Sequence, residues 1–190
     1  MALKSTVFKA TLSISDMDRG YYADHSLTIA RHPSENDERM MARLLAFVLH
    51  AGERLTFGKG LSDPDEPDLV ARDLTGAIAQ WIEVGTPDER AILKACGRAE
   101  QAVVLAYASN TPVWWAGIES RLTRARNLSV LSIPPAQSQA LAALAQRTMQ
   151  LQCSVQDGSV WVSDARQQVQ VDVTRLMGAN PADAPPAWGR

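Results

Sequence analysis

Two carboxylates stand where strand side chains are usually apolar, β-branched or aromatic. They are Asp68 in "DEPDLVARDLTG" and Glu83 in "AIAQWIEVG". The two runs read as strands joined by a tight turn. A turn centred between Thr75 and Gly76 sets Asp68 directly opposite Glu83 on one face of the sheet. Their Cβ atoms then lie roughly 4.5–5.5 Å apart. Like charges so placed repel, and burial sharpens the conflict until one carboxyl takes a proton or a cation arrives. A third acid, Glu38, points along the stripe of Met41, Leu44, Leu45 and Val48 in the helix read from "HPSENDERMMARLLAFVLHAG".

Paired carboxylates with a third acid from a helix form a hard-oxygen site suited to Mg²⁺ or Mn²⁺. Each acid also has a plainer explanation. In the first turn Glu38 complements the helix dipole. The pair could equally be one side of a salt bridge, with Arg72, Arg90 and Lys94 as the nearby cations.

Several elements must hold these side chains. "STVFKATLSIS" alternates, with Phe8, Ala10, Leu12 and Ile14 on one face, and "HSLTIARH" returns beside it after the turn "DMDRG", giving an opening hairpin. The Glu38 helix starts near Ser34, which with Asp37 resembles a capping box, and stops at Gly52. A short strand in "ERLTFGKGLS" precedes the carboxylate hairpin. A second helix follows in "TPDERAILKACGRAE", with Thr86 as its cap, Pro87 in its first turn and Glu89 completing a capping box. The runs "QAVVLAYA" and "NLSVLSI" lack alternation, as strands buried on both faces do. Between them "TPVWWAGIESRLTRAR" repeats the Thr-Pro helix start, and "PAQSQALAALAQR" forms a fourth helix. Three alternating strands, "MQLQCSVQ", "SVWVSD" and "QVQVDVT", close the chain as an antiparallel meander, the first two joined at Asp157-Gly158. The reading is one compact mixed α/β domain over 1–177, with a Pro- and Ala-rich disordered tail over 178–190.

The composition narrows the function. The chain has 190 residues, 19 basic and 21 acidic side chains and a formal charge of −2. That balance argues against non-specific coating of nucleic acid, which rests on a surplus of Lys and Arg. Arg121, Arg124 and Arg126 could touch a phosphate backbone, though a solvated helix face accounts for them as well. Cys96 and Cys153 are far apart and lie in no CxxC pair, which points to free thiols in a reducing compartment. His25, His32 and His50 are scattered and read as surface or end-of-element residues. "TFGKGLS" lacks the spacing of a phosphate loop, and Trp114-Trp115 reads as packing. No stretch approaches the 18 apolar residues of a membrane span, and "MALKSTVFKATLSIS" lacks the apolar run of a secretory signal. A cytoplasmic protein with no membrane partner is expected.

The assembled order is helix, three strands, helix, strand. It resembles the αβββαβ core of the PD-(D/E)XK nuclease fold, and "EPDLVARD…WIEVG" is similar to a variant of its signature. The chain as a whole resembles the YaeQ family of small bacterial proteins. The matching stretches are "MALKSTVFKATLSISDMDR", "LTIARHPSENDERMMARLLA", "DEPDL", "WIEVGTPDERAILKACGRAE", "NLSV" and "TMQLQCSVQDGSVWVSD". The resemblance implies a nuclease-like core with the N-terminal hairpin and the C-terminal meander added. It also implies that Pro67-Asp68 stands for the "PD" and Glu83 for the "(D/E)", holding Mg²⁺ or Mn²⁺, with Glu38 as a further acid of the site. The motif Lys is replaced by Gly85. Some nucleases of the fold supply it from the following helix, which here offers Lys94, with Arg90 as a phosphate contact or stand-in. Lys94 lies about 200° around that helix from Ile92, at about 100° per residue. Two expectations result. One is a metal-dependent phosphodiesterase acting on nucleic acid. The other is a catalytically inactive nuclease-like scaffold that serves as a binding or regulatory module, with a protein partner.

Overall fold

The structure, a computed structural model, describes residues 4–59, 63 and 65–178. Past Gly178, the tail expected over 178–190 lies outside the described residues. In chain order the elements are β1 (Thr6–Asp16), β2 (Tyr21–Arg31), α1 (Asp37–His50), β3 (Leu55–Phe57), β4 (Leu69–Arg72), β5 (Ile78–Val84) and α2 (Glu89–Arg98). There follow β6 (Gln101–Ala106), α3 (Thr111–Ile118), β7 (Leu128–Ser132), α4 (Pro135–Ala142), β8 (Thr148–Gln156), β9 (Ser159–Ser163), β10 (Gln168–Asp172) and β11 (Thr174–Met177).

The strands form two mixed sheets. One has the order β10-β9-β8-β1-β2 and the other β11-β7-β6-β5-β4-β3. The opening hairpin and closing meander are both present. They meet in the first sheet, where β8 runs parallel to β1. The αβββαβ run is α1 to β6 in the second sheet, where β5, β6 and β7 are parallel. One strand was not foreseen. β11 leaves the meander after Val173 and pairs with β7 at the edge of the second sheet. Its short sequence, "TRLM", lacks the alternation that marks the other strands.

Helix α1 lies between the sheets. Its residues Met40 to Val48 are all buried, because sheet residues face it from both sides. Phe8, Ala10, Leu12 and Ile14 supply one wall, and Leu69, Ala71 and Ile82 supply the other. A second core, around Trp81, Ile92, Val104 and Trp115, lies under α2 and α3 on the far face of the second sheet. A Leu such as Leu44, fully buried against so many neighbours, contributes about 1.5–3 kcal/mol by leaving water.

Two helix starts and one helix end differ from the sequence reading. The cap of α1 is Asn36, whose side chain accepts from the Arg39 N–H, whereas Ser34 bonds His32 instead. The cap of α2 is Asp88, two residues later than the expected Thr86. Both Asn36 and Asp88 carry an acceptor at the right distance from the N3 amide, the property that makes any Ser, Thr, Asp or Asn a cap. Helix α3 ends at Ile118 and continues only as a 3₁₀ turn, Glu119–Arg121.

Candidate functional site

The carboxylate hairpin has the expected register. Leu69 pairs with Ile82, Val70 with Trp81 and Ala71 with Gln80, so Asp68 stands one step further along, opposite Glu83. A bulge after Ala71 is absorbed in the turn, where Asp73 accepts from the Thr75 and Ala77 amides and Gly76 has φ +89°. Asp68 is placed by two glycine-dependent features. The Gly58 amide donates to the Asp68 carbonyl at 2.8 Å, and a Cβ at Gly58 would meet the Pro67 carbonyl oxygen at 1.9 Å. Only glycine lets β3 run so close under Pro67-Asp68. On the partner strand, Gly85 has φ +117°, a backbone that a side-chain-bearing residue rarely adopts. The motif Lys is therefore absent from a position whose backbone disfavours it.

Asp68 is buried and both of its oxygens are engaged. Oδ1 accepts from Arg39 Nη2 at 2.7 Å and Oδ2 from the Val84 amide at 2.7 Å. The second bond substitutes a carboxylate for a backbone carbonyl at the end of the β4–β5 ladder. Arg39 also donates to Glu35 Oε1 at 3.1 Å, and Arg43 grips Glu35 through Nε and Nη2, both at 2.7 Å. Glu35, Arg39 and Arg43 are spaced by four and so line one side of α1 and its approach. Burial works against the charge on Arg39, but Asp68 and Glu35 more than offset it and raise its pKa.

Charge balance then explains Glu83. Buried Arg43 and partly buried Arg39 answer two buried carboxylates, Glu35 and Asp68, which leaves Glu83 the surplus anion. Burial, reinforced by the adjoining Asp68, pushes the Glu83 carboxyl up to about 7, although the Trp81 indole N–H donates to it at 2.8 Å and pulls the other way. The protonated form therefore persists well above the usual carboxylate range. Tyr107, just past β6, completes the cluster. Burial raises its phenol, with Arg39 opposing and Glu38, Glu35 and Asp68 adding to the rise.

The remaining expected residues are placed elsewhere. Glu38 accepts from the Ser138 hydroxyl of α4 at 2.6 Å, so it faces α4 and makes no bond to the pair. Lys94 is ion-paired with Asp65 on the loop before Asp68, and Arg90 is exposed on α2. The cation on Asp68 is Arg39, rather than Arg72, Arg90 or Lys94. Arg39, Arg43, Glu35 and Tyr107 were missed, yet two arginines four apart inside an apolar helical stripe are a readable sign of a buried anion.

These residues, as arranged, do not fit Mg²⁺ or Mn²⁺. A divalent ion would have to displace Arg39 and the Val84 amide from Asp68 and the proton from Glu83. Among the described residues, no three His, Cys, Asp or Glu side chains are grouped so as to hold a metal ion. Within the described residues no helix is long and apolar enough to cross a membrane.

Comparison with known proteins identifies the relatives. The family model "YaeQ protein" matches residues 1–173. The chain belongs to the YaeQ family. It is 46% identical over 175 residues to the YaeQ protein of Salmonella typhi, covering 92% of this chain and 97% of that one. It is 45% identical to the Escherichia coli K12 relative, with the same coverage. Crystal structures of family members from Xanthomonas axonopodis pv. citri and Pseudomonas syringae superpose with TM-scores of 0.90 and 0.88, at 48% and 38% identity. Each covers 92% of this chain, and the match spans 99% and 97% of those chains.

Proposed function

We propose that the chain is a nuclease-like scaffold that works as a binding or regulatory module, with its carboxylate pair neutralised from within. The observation that carries this reading is the double engagement of Asp68 by Arg39 and the Val84 amide. A carboxylate tied to a buried guanidinium and a backbone amide is a poor metal ligand, and the backbone of Gly85 disfavours the lysine that would orient a nucleophile. Next to the pair is a cavity of about 450 Å³ lined by Val70, Ile78 and Trp81, with Arg72, Arg98 and Lys59 set against Asp65 and Glu66. An aromatic and aliphatic lining with charges of both signs around it suits a planar polar group such as a nucleobase.

A metal-dependent nuclease is the competing reading, and one observation favours it: Asp68 and Glu83 abut within the αβββαβ order. The deciding experiment is incubation of labelled single- and double-stranded DNA and RNA with the protein and Mn²⁺, beside fluorescence anisotropy of the same oligonucleotides. The scaffold reading expects binding without cleavage. Mn²⁺-dependent cleavage that disappears in Asp68→Ala and Glu83→Ala would overturn it.

A further inference from the structure

At the opposite end of α1, far along the chain from the carboxylate pair, a second cavity of about 490 Å³ opens between the two sheets. It is bounded by the β1–β2 turn, the last turn of α1, the β8–β9 turn and β11. Its ionisable lining is Asp16, Asp18, Arg19, His50, Asp157 and Arg175, against aliphatic walls from Leu49, Leu131 and Val155.

The acids there are largely committed. Asp16 takes the Arg19 Nε and backbone N–H, at 2.6 and 3.0 Å. Asp18 accepts from the amides of Asp157 and Gly158, at 2.8 and 3.1 Å, and so ties the two turns together. Asp157 is exposed, at the turn where it has φ +53°.

The cations are not matched in the same way. Arg19 gives Nε to Asp16 and Nη1 to the Ala51 carbonyl, which leaves Nη2 buried with no acceptor among the described residues. Arg175 is half-buried, and its guanidinium has no hydrogen bond or ion pair to any described residue, while its backbone pairs with Leu131 in the sheet. Burial alone lowers its pKa, with no carboxylate offsetting it. His50 bonds the Ala46 carbonyl through Nδ1 at 3.1 Å, so its proton lies there and Nε2 is left as the open ring nitrogen. Burial holds the imidazole down at about 4, with Arg19 and Arg175 adding to the effect.

A polar cavity in which a half-buried cation lacks a counter-ion is chemically incomplete. We propose that it binds a compact oxyanion, a phosphate or carboxylate group, held by the Arg175 guanidinium beside His50, with Arg19 adding positive field. The planar fork of arginine matches either group in bidentate fashion. The aliphatic walls leave room for a small apolar body on the ligand. An anion in this position favours the charged imidazole and raises the pKa of His50.

The test uses the full chain, titrated calorimetrically with inorganic phosphate in one arm and acetate in the other. A parallel titration follows the imidazole nitrogen resonances of His50. Saturable binding of either probe, with His50 moving in step, is expected. Phosphate binding alone assigns a phosphorylated ligand, and acetate binding alone assigns a carboxylate. Arg175→Gln should weaken affinity at least about tenfold, the scale of a lost hydrogen bond to a charged group. Arg175→Lys, which keeps the charge but loses the bidentate fork, should fall between Arg175→Gln and the wild type, and Arg166→Gln, an exposed cation outside the cavity, should change nothing. Thermal melts of each variant report that it is folded. Absence of saturable binding in the wild type, equal affinity in Arg175→Gln, or binding that leaves His50 unmoved overturns the proposal.

Discussion

Replacing Glu83 by Gln tests the charge balance at the carboxylate pair. The Glu83 carboxyl has a folded-state pKa of about 7 against an ordinary value of 4.5. Because the folded value is the higher one, the native protein holds a proton that the unfolded chain has released. Stability is therefore fully present below pH 4.5, falls as pH rises towards 7, and levels off above. The interval between 4.5 and about 7 corresponds to a loss of about 3 kcal/mol. Gln copies the neutral acid. Its carbonyl can accept from the Trp81 indole and its amide can donate to Asp68, the two partners of Glu83. Glu83→Gln should match the wild type near pH 4.5 and exceed it by up to about 3 kcal/mol at pH 8. Urea melts of both proteins across this range, with chelator present, measure the difference. A variant no more stable than the wild type at pH 8, or a gap that does not change with pH, would refute the reasoning. In either case Glu83 would be an ordinary ionised carboxylate.

Three further outcomes follow from the same geometry. Asp68→Asn at pH 5, where Glu83 is neutral, should cost about 2–3 kcal/mol in a urea melt, less than a buried pair stripped of one partner because Glu35 still answers Arg39. Gly85→Lys should restore the motif lysine in sequence but cost about 1–3 kcal/mol in the same melt for a side chain at φ +117°, with no cleavage of labelled DNA gained. The Cys153 thiol, buried and pushed up to about 12, should resist thiol reagents at pH 8 until the chain unfolds, while half-buried Cys96 is labelled first.

Much of the second sheet was legible because its signals are local. The hairpin register follows from the position of a single turn, and unbroken apolar runs marked β6 and β7 as buried on both faces. The partner of Asp68 was not legible in the same way. Arg39 is 29 residues away in sequence, and only the placement of α1 between two sheets brings it to the strand end. The pull of Glu38 towards α4 has the same origin, since Ser138 is 100 residues further along. Lys94 was judged from helix angle alone, which cannot reveal Asp65 waiting on a loop beside it. Both cap positions differ by two residues because "PSEND" and "TPDE" each offer more than one residue able to cap. His50 is the last residue of α1, as a reading of it as a surface or end-of-element residue expects. Its place in a cavity beside Arg175 of β11 is what the sequence does not show.

The most direct test of internal neutralisation is calorimetric titration of Mn²⁺ into the metal-free full chain at pH 7.5. Arg39 and the Val84 amide occupy both oxygens of Asp68. The predicted result is no saturable heat, and an identical trace for Asp68→Asn. A one-site isotherm in the wild type that is lost in Asp68→Asn would show that metal displaces Arg39, and would contradict the scaffold account.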